Sequence, residues 1–310
     1  MIRTRLLCLS AALLAVAASP VFAQELPVEG PVSTTALVHV QSKSDVPLNP
    51  AMLKLQVNGH DTAITWVRPV SSQAPQIAIL IDEGLRSSFA AQLKDVADFI
   101  NGLPPRAEVL VGYMENGMVR SATGQFSVNR EAVVSQLRVP FSSPGASASP
   151  YFCLSEFVKH WPASKPGPRF VLMITNGVDP YNGRPSIMNQ DSPYVQTAQE
   201  DAQRAGVAVY SIYFTDAGFR GARGSLSGQS YLGQVADATG GELFNQGAIT
   251  PVSLTPYFAQ FDKAVAESYT IGFSASVNGK NGSLTRIRLK SSQPGVKLHA
   301  PDAVWPGLAE

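Results

Sequence analysis

The stretch QIAILIDEGLR, from Gln76 to Arg86, decides the fold of this chain. Residues 77–81 are all apolar, without the alternation of a strand that exposes one face to water, and they run directly into Asp82. A strand that is apolar on both faces is typical of the middle of a parallel sheet covered by helices. Such sheets bind ligands outside the carboxyl ends of their strands, so Asp82 is the first candidate site residue.

Further strands alternate with helical patterns along the middle of the chain. Residues 170–174 and 207–214 are two more apolar runs, and residues 109–113 form another, followed by the short link Glu115-Asn116-Gly117. A link that short predicts an antiparallel strand at the edge of the sheet. The alternation predicts an α/β fold with a doubly wound, mostly parallel, Rossmann-like sheet over residues 75–267.

Both ends of the chain have a β-like pattern instead. In residues 35–70 the alternation is short-ranged, and the turn Asn58-Gly59 predicts a hairpin between residues 52–57 and 63–67. Residues 268–310 return to strands after a helix. We expect these two ends to pair into one β-rich annex beside the α/β domain.

The first residues have the layout of a targeting segment. Residues 1–23 contain two arginines near the start, an apolar core and a small residue, Ala23, at the end. This order is typical of a secretory signal peptide. Residues 24–34 lack apolar periodicity and are expected to be a tail. No later segment is long and apolar enough to predict a membrane span, so we expect a periplasmic or secreted protein.

The charge balance and the cysteine content limit the kinds of partner and of cysteine chemistry that the sequence predicts. Loss of residues 1–23 removes Arg3 and Arg5, which leaves 22 basic against 23 acidic residues and a formal net charge near −1. This balance gives no reason to expect nucleic acid as a partner. Cys153 is then the only remaining cysteine. Its apolar helical context predicts a buried, inert thiol.

A set of ordered motifs resembles a known family. The Asp-ended strand and the antiparallel edge strand are followed by Ile174-Thr175-Asn176-Gly177 and by a Leu-x-x-Val-Ala-x-x-Thr-Gly-Gly segment at residues 232–241. This order resembles the von Willebrand factor A domain, and with the β-rich ends it is similar to bacterial secreted proteins called von Willebrand factor A-related. The resemblance covers roughly residues 35–307. It implies a secreted, non-catalytic protein of the adhesion or scaffolding type, which recognises a protein partner through loops at the carboxyl edge of the sheet.

The resemblance also implies a position for a metal-ion-dependent adhesion site, built in that family from Asp-x-Ser-x-Ser, a threonine and a further aspartate. In this chain the first aspartate matches Asp82, and the further aspartate is replaced by Asn176. The two serines of the family fall on Gly84 and Arg86. The threonine loop corresponds to the region of Ser147 and Ser149, and Asp179 is a substitute ligand at most.

These replacements make a poor magnesium site. Mg²⁺ is held by oxygens in a near-octahedral array that includes one or two carboxylates, and here a carboxylate and two hydroxyls are missing. Arg86 adds a permanent positive charge to the same loop. The sequence therefore predicts no bound metal and no cofactor at a degenerate adhesion site. A magnesium- or manganese-dependent adhesion module with a non-standard ligand set is the alternative.

Arginines and aromatic residues on the predicted loops are candidates for partner contacts, because these residue types dominate binding hot spots. Arg86 is proposed to supply the positive charge that a metal would supply, for a carboxylate of the partner. The further candidates at this edge of the sheet are Tyr181, Arg184, Phe219, Arg220 and Arg223. The last three lie in residues 215–229, a glycine-rich segment expected to be a mobile loop.

A secreted hydrolase is the second alternative. The segment Gly224-Ser225-Leu226-Ser227-Gly228 has leucine where a Gly-x-Ser-x-Gly nucleophile motif needs serine. The sequence also lacks a Gly-Lys-Ser phosphate loop, a Ser-x-x-Lys motif and zinc-type His or Cys spacing. Four scattered histidines lie beside no nucleophile in sequence. We therefore expect no catalytic residues.

Overall fold

We describe the fold from a computed structural model, in which residues 30–42, 48–141, 147–183, 191–215, 221–245, 247, 250–277 and 283–308 are described. Within these ranges, the side chains of residues 86–88 and 221–225 are not described. The predicted signal peptide, residues 1–23, lies outside the described residues.

Fourteen strands and six α-helices make up the described part of the chain. The strands are β1 (Pro31–Ser42), β2 (Leu53–Val57), β3 (His60–Thr62), β4 (Ile64–Pro69), β5 (Gln76–Asp82), β6 (Glu108–Glu115), β7 (Met118–Arg120), β8 (Arg169–Thr175), β9 (Val207–Tyr213), β10 (Leu243–Phe244), β11 (Ser268–Ser276), β12 (Thr285–Ser291), β13 (Val296–His299) and β14 (Ala303–Val304). The helices are α1 (Leu93–Gly102), α2 (Arg130–Val134), α3 (Pro150–Lys159), α4 (Pro193–Arg204), α5 (Gly221–Thr239) and α6 (Thr255–Ala266).

The central sheet has six strands in the order β10-β9-β8-β5-β6-β7. Neighbouring strands are parallel except β7, which is antiparallel to β6 and lies at the edge. The predicted antiparallel edge strand is thus confirmed. All seven residues of β5 are buried, as its unbroken apolar run predicts.

Side chains of β5 alternate between two hydrophobic clusters, one on each face of the sheet. Ile77, Ile79 and Ile81 pack in one cluster with residues of α1 and α6. Ala78 and Leu80 pack in the other with residues of α3, α4 and α5. Because both faces are covered, the strand needs no polar residue until its carboxyl end. The molecule is therefore of mixed α/β type, with a parallel central sheet.

The two ends of the chain pair with each other in two antiparallel sheets. One has the order β13-β1-β11-β4 and the other the order β14-β12-β2-β3. Each sheet contains strands from both ends, because β1 pairs with β11 and β2 pairs with β12. A third hydrophobic cluster, which includes Val38, Leu55, Ile271 and Ile287, draws residues from both sheets.

Two predictions for the N-terminal segment are wrong. Strand β1 begins at Pro31, inside residues 24–34, which were expected to be a tail. The turn Asn58-Gly59 does make a hairpin, but it joins β2 to β3, not to residues 63–67. Strand β4 pairs instead with β11 in the other sheet. A turn signal fixes where the chain reverses, but partners distant in sequence decide which sheet the next strand joins.

The prediction of a loop over residues 215–229 is also corrected. Helix α5 begins at Gly221, so much of this segment is helical despite its glycines. A second difference lies after β5, where a 3-10 helix, Glu83–Gln92, precedes α1. Within the described residues, no helix has the length and apolar character needed to cross a membrane.

Candidate functional site

Asp82 lies where the chain changes direction across the central sheet. From β5 the chain moves to β6 on one side, and it later returns to β8 on the other side of β5. The carboxyl ends of β5 and β8 therefore lead into separate connections, and a ligand site is expected at such a place in an α/β sheet. Asp82 ends β5 and Thr175 ends β8. The loops that follow these two strands form the candidate functional site.

The carboxylate of Asp82 is held by three donors of the chain. Its Oδ1 accepts a hydrogen bond from the Gly84 amide at 2.9 Å, which also begins the following 3-10 helix. Its Oδ2 accepts hydrogen bonds from Thr175 Oγ1 at 2.7 Å and from Ser147 Oγ at 3.4 Å. Asp82 is buried, and desolvation raises the pKa of its carboxyl although the three hydrogen bonds act in the opposite direction.

Ser147 and Ser149, predicted at the same site, have different roles. Ser147 contacts Asp82 directly, whereas the Ser149 hydroxyl accepts a hydrogen bond from the Tyr151 amide and caps the start of α3. Both are buried. Nearby, Cys153 donates from its thiol to the Ser147 carbonyl at 3.3 Å, and burial raises the pKa of that thiol. Its burial agrees with the prediction.

The loop after β8 turns tightly against α5. The Asn176 side-chain oxygen accepts a hydrogen bond from the Val178 amide at 2.9 Å, so it is already engaged by its own loop. Gly177 has φ +66°, and a Cβ there would lie 2.6 Å from the Gly228 carbonyl oxygen. In turn, a Cβ on Gly228 would lie 2.1 Å from the Asn176 carbonyl oxygen. Two glycines thus allow α5 to approach the site.

Asp179 is also committed to contacts within the protein. Its Oδ1 accepts a hydrogen bond from the Tyr181 amide at 3.1 Å. Its Oδ2 accepts a hydrogen bond from the Ser192 hydroxyl at 2.9 Å, and that hydroxyl caps the start of α4. Asp179 is buried. It therefore connects the site loop to α4.

The donor set at this site is poor for a divalent metal, which prefers a near-octahedral array of oxygens that includes one or two carboxylates. The oxygens of Asp82 and Asp179 and the amide oxygen of Asn176 are all engaged by N–H or O–H groups of the chain. Gly84 brings no side-chain oxygen. Within the described residues, no three His, Cys, Asp or Glu side chains are grouped so that they could hold a metal ion.

A partly exposed aromatic cluster borders the site. It consists of Phe152 in α3, Tyr181 in the loop after β8, and Tyr194 in α4. The ring centroid of Phe152 lies 5.1 Å from that of Tyr181 and 4.9 Å from that of Tyr194. Tyr181 is 56% exposed. Sequence reasoning found Tyr181 and missed the other two rings, which come from helices distant in sequence.

A buried charge beside Asp82 was not predicted from the sequence. Glu83 is buried, and it forms an ion pair with Arg138 and accepts a hydrogen bond from the Phe141 amide at 3.2 Å. The Arg138 guanidinium lies over the rings of Tyr113 and Phe141, 3.9 Å and 4.6 Å from their centroids. Arg138 follows α2, far from Glu83 along the chain, so no local sequence pattern indicates this pairing.

Several predicted residues cannot be placed in the site. The side chain of Arg86 lies outside the described residues, so its expected role of supplying positive charge for a carboxylate of the partner stays a prediction. Arg184, Phe219 and Arg220 also lie outside them. Arg223 is within helix α5, but its side chain is not described.

The four histidines of the chain are all described, and none is among the hydrogen-bond partners of Asp82. His39 lies in β1, His60 in β3 and His299 in β13, all in the annex sheets. His160 follows α3, where its Nδ1 lies 3.2 Å from Glu156 Oε1. In the described part of the chain, no hydrogen bond joins a histidine to a serine or cysteine side chain.

No family model matches this chain, and no curated protein matches it by sequence. Among solved structures, it is similar to an aerotolerance-related membrane protein from Bacteroides fragilis, with TM-score 0.40 and 8% identity, covering 62% of this chain and 98% of that one. It is also similar to the conserved hypothetical protein BatB from Bacteroides thetaiotaomicron, with TM-score 0.41 and 10% identity, covering 63% and 98%. A third is the pilus adhesin SpaC from Lactobacillus rhamnosus GG, with TM-score 0.45 and 9% identity, covering 86% of this chain and 47% of that one.

Proposed function

We propose that this chain is an extracytoplasmic, non-catalytic protein-binding module with a doubly wound core of the von Willebrand factor A type. In this proposal it recognises its partner through the loops at the carboxyl edge of the central sheet, and no metal takes part. The observation that supports the proposal is that both carboxylate oxygens of Asp82 accept hydrogen bonds from the chain itself, namely from Gly84, Ser147 and Thr175.

A site held together in this way is preorganised without an ion. The hydrogen bonds of Asp82 and Asp179 fix the loops after β5 and β8, and Ser192 connects the second loop to α4. Rigid loops lose little conformational entropy when a partner binds. In this proposal the chain's own donors take the place of a metal in holding these loops.

The aromatic cluster supplies the contact surface in this proposal. Tyrosine and phenylalanine offer a large apolar area with few rotatable bonds, and such residues dominate the energy of many interfaces. Tyr181 is the most exposed of the three rings, and its amide is fixed by Asp179. We therefore assign Tyr181 the central contact and the loop around Arg86 a flanking charged one.

An affinity capture from the native envelope or culture supernatant tests this function. With EDTA present, the purified protein should retain a partner, and Tyr181→Ala should reduce its affinity at least about tenfold. Met52→Ala, which removes an exposed apolar side chain from the annex, is the matched control and should change nothing. Capture that requires Mg²⁺ or Mn²⁺ would favour the metal-dependent module, and turnover on a substrate panel would favour a hydrolase.

A further inference from the structure

A cleft of about 790 Å³ lies between the annex and the last turns of α4. One wall is formed by α4, with Glu200, Gln203 and Arg204. The opposite wall is formed by β12, with Arg286 and Arg288. Helix α4 begins at the Asp179 loop and ends at this cleft, so the two sites lie at opposite ends of the helix.

Positively charged side chains lie along the β12 wall of the cleft and continue past the end of the cleft. Arg286, Arg288 and Lys290 alternate along β12, so they share the outward face of that strand, and Lys54 of β2 lies directly opposite Lys290. All four are exposed. We call these four residues the basic strand face. Like charges placed directly across a sheet destabilise it, so this arrangement costs the free protein stability.

The basic strand face is only partly offset by the protein itself, because Asp302 also lines the cleft and interacts electrostatically with Arg286. In the ranges that the structure describes, none of its four residues forms an ion pair with an acidic side chain. Asp61, on the neighbouring β3, instead accepts a hydrogen bond from Gln56 at 2.9 Å. On the opposite wall, Arg204 is paired with Glu200 and Asp201, both at 3.1 Å. Among these described residues, the cations that form no ion pair therefore lie on the β12 side of the cleft, with Asp302 beside Arg286.

The spacing of the basic side chains along β12 fits one class of ligand. Residues two apart on a strand repeat at about 6.8 Å, which is also the repeat of same-side carboxylates along an extended peptide. Guanidinium groups pair with carboxylates through two parallel hydrogen bonds. The described residues that line the cleft include no aromatic ring on which a nucleic acid base could stack. The recess between a helix and a sheet also opposes contact with a flat membrane.

We propose that the cleft and the basic strand face bind an extended acidic segment of a protein partner. Carboxylates on one side of that segment pair with Arg286 and Arg288 inside the cleft, and later ones reach Lys290 and Lys54. This surface is separate from the aromatic cluster around Tyr181. It allows the protein to hold two partners, or two parts of one partner, at once.

Fluorescence anisotropy with a labelled peptide of alternating glutamate and serine tests the proposal. At low salt the protein should bind this peptide and not the matched peptide with glutamine in place of glutamate. The double variant Arg286→Gln/Arg288→Gln should weaken binding at least about tenfold, because it removes both bidentate partners. Raising the salt to about 0.3 M should weaken binding to the unchanged protein, since exposed charges are screened.

The control is a second double variant with the same change in net charge. Arg106→Gln/Arg120→Gln removes two exposed arginines from the α/β domain, and it should bind the peptide as the unchanged protein does. Tyr181→Ala should also bind it normally. Equal loss in both double variants, or no loss in the cleft variant, would overturn the proposal. Tighter binding of a sulfated oligosaccharide, an oligothymidylate or phosphatidylglycerol vesicles through the same arginines would also overturn it.

Discussion

At the scale of single residues, Asp82 is a carboxylate that the fold has enclosed. Its position at the end of an apolar strand could be predicted from the sequence, because strand burial and the sheet edge follow from residues 76–82 alone. Its partner Thr175 was quoted only as part of a turn motif. The pair Glu83–Arg138 had no local signal at all, since 55 positions separate the two residues.

Two substitutions of Asp82 distinguish the contribution of its hydrogen bonds to stability from the contribution of its charge. Asp82→Ala leaves the Gly84 amide and the Thr175 hydroxyl buried without an acceptor, and it should cost about 2–4 kcal/mol of unfolding free energy. Asp82→Asn keeps an acceptor for Gly84, and the Thr175 hydroxyl can turn to accept from the amide. It should therefore remain within about 1 kcal/mol of the unchanged protein at pH 7 in urea unfolding.

The same variant has a predicted pH dependence. Burial raises the pKa of Asp82, so its contribution to stability is present below the ordinary value of 3.8 and is lost as pH rises through the folded-state pKa. Asp82→Asn does not ionise, so its stability relative to the unchanged protein should increase from pH 4 to pH 7. A decrease over that range would contradict the raised pKa of the buried Asp82 carboxyl.

At the scale of elements, the core strands were predictable and several pairings were not. Strands β5 and β8 each contain five consecutive apolar residues, β9 is interrupted by Ser211, and all three segments favour a buried position. Strand β4 does not pair in the predicted hairpin, because β11, about 200 positions away, offers it a longer partner strand. Helix α5 was predicted as a loop because glycine lowers helix propensity, which packing against the site loop overrides.

The contact between α5 and the site loop gives an element-scale prediction. In Gly228→Ala, the new Cβ would meet the Asn176 carbonyl oxygen at 2.1 Å, so backbone must move. We expect a loss of about 2–4 kcal/mol, measured by thermal or urea unfolding. Gly233→Ala in the same helix is the control, because its Cβ would only reach Leu243 at 3.8 Å. This control should gain up to about 1 kcal/mol, and equal losses in both would place the tight approach elsewhere.

The junction of β1 and β13 should respond to acid. The rings of His39 and His299 stack there with centroids 5.4 Å apart, and burial, His299, Lys263 and Lys297 lower the pKa of His39 to about 4, although Glu267 lies 3.9 Å away. A lowered histidine pKa means that stability is full above pH 6.5 and is lost as pH falls toward 4.

Removing the ring of His39 should remove this loss. Between pH 7 and pH 4, His39→Gln should lose about 2–3 kcal/mol less unfolding free energy than the unchanged protein. His160→Gln, which changes an exposed histidine at the end of α3, should follow the unchanged protein. A His39 variant with the same acid sensitivity as the unchanged protein would show that the junction is not protonated in this range.

At the scale of the whole molecule, the fold separates two kinds of surface. The carboxyl edge of the central sheet carries an aromatic cluster and closed carboxylates, and the annex carries exposed cations beside a cleft. Composition alone could not predict the second surface, because basic and acidic residues nearly balance over the chain. The pairing of β2 with β12 brings Lys54 and Lys290 together from opposite ends of the sequence.

Calorimetric titration of the purified protein with Mn²⁺ tests the central claim most directly. Because the oxygens of Asp82, Asn176 and Asp179 are engaged by the chain, we predict no saturable binding below about 1 mM. Sub-millimolar binding that disappears in Asp82→Asn would contradict the account, because the Asp82 carboxylate would then coordinate a metal ion.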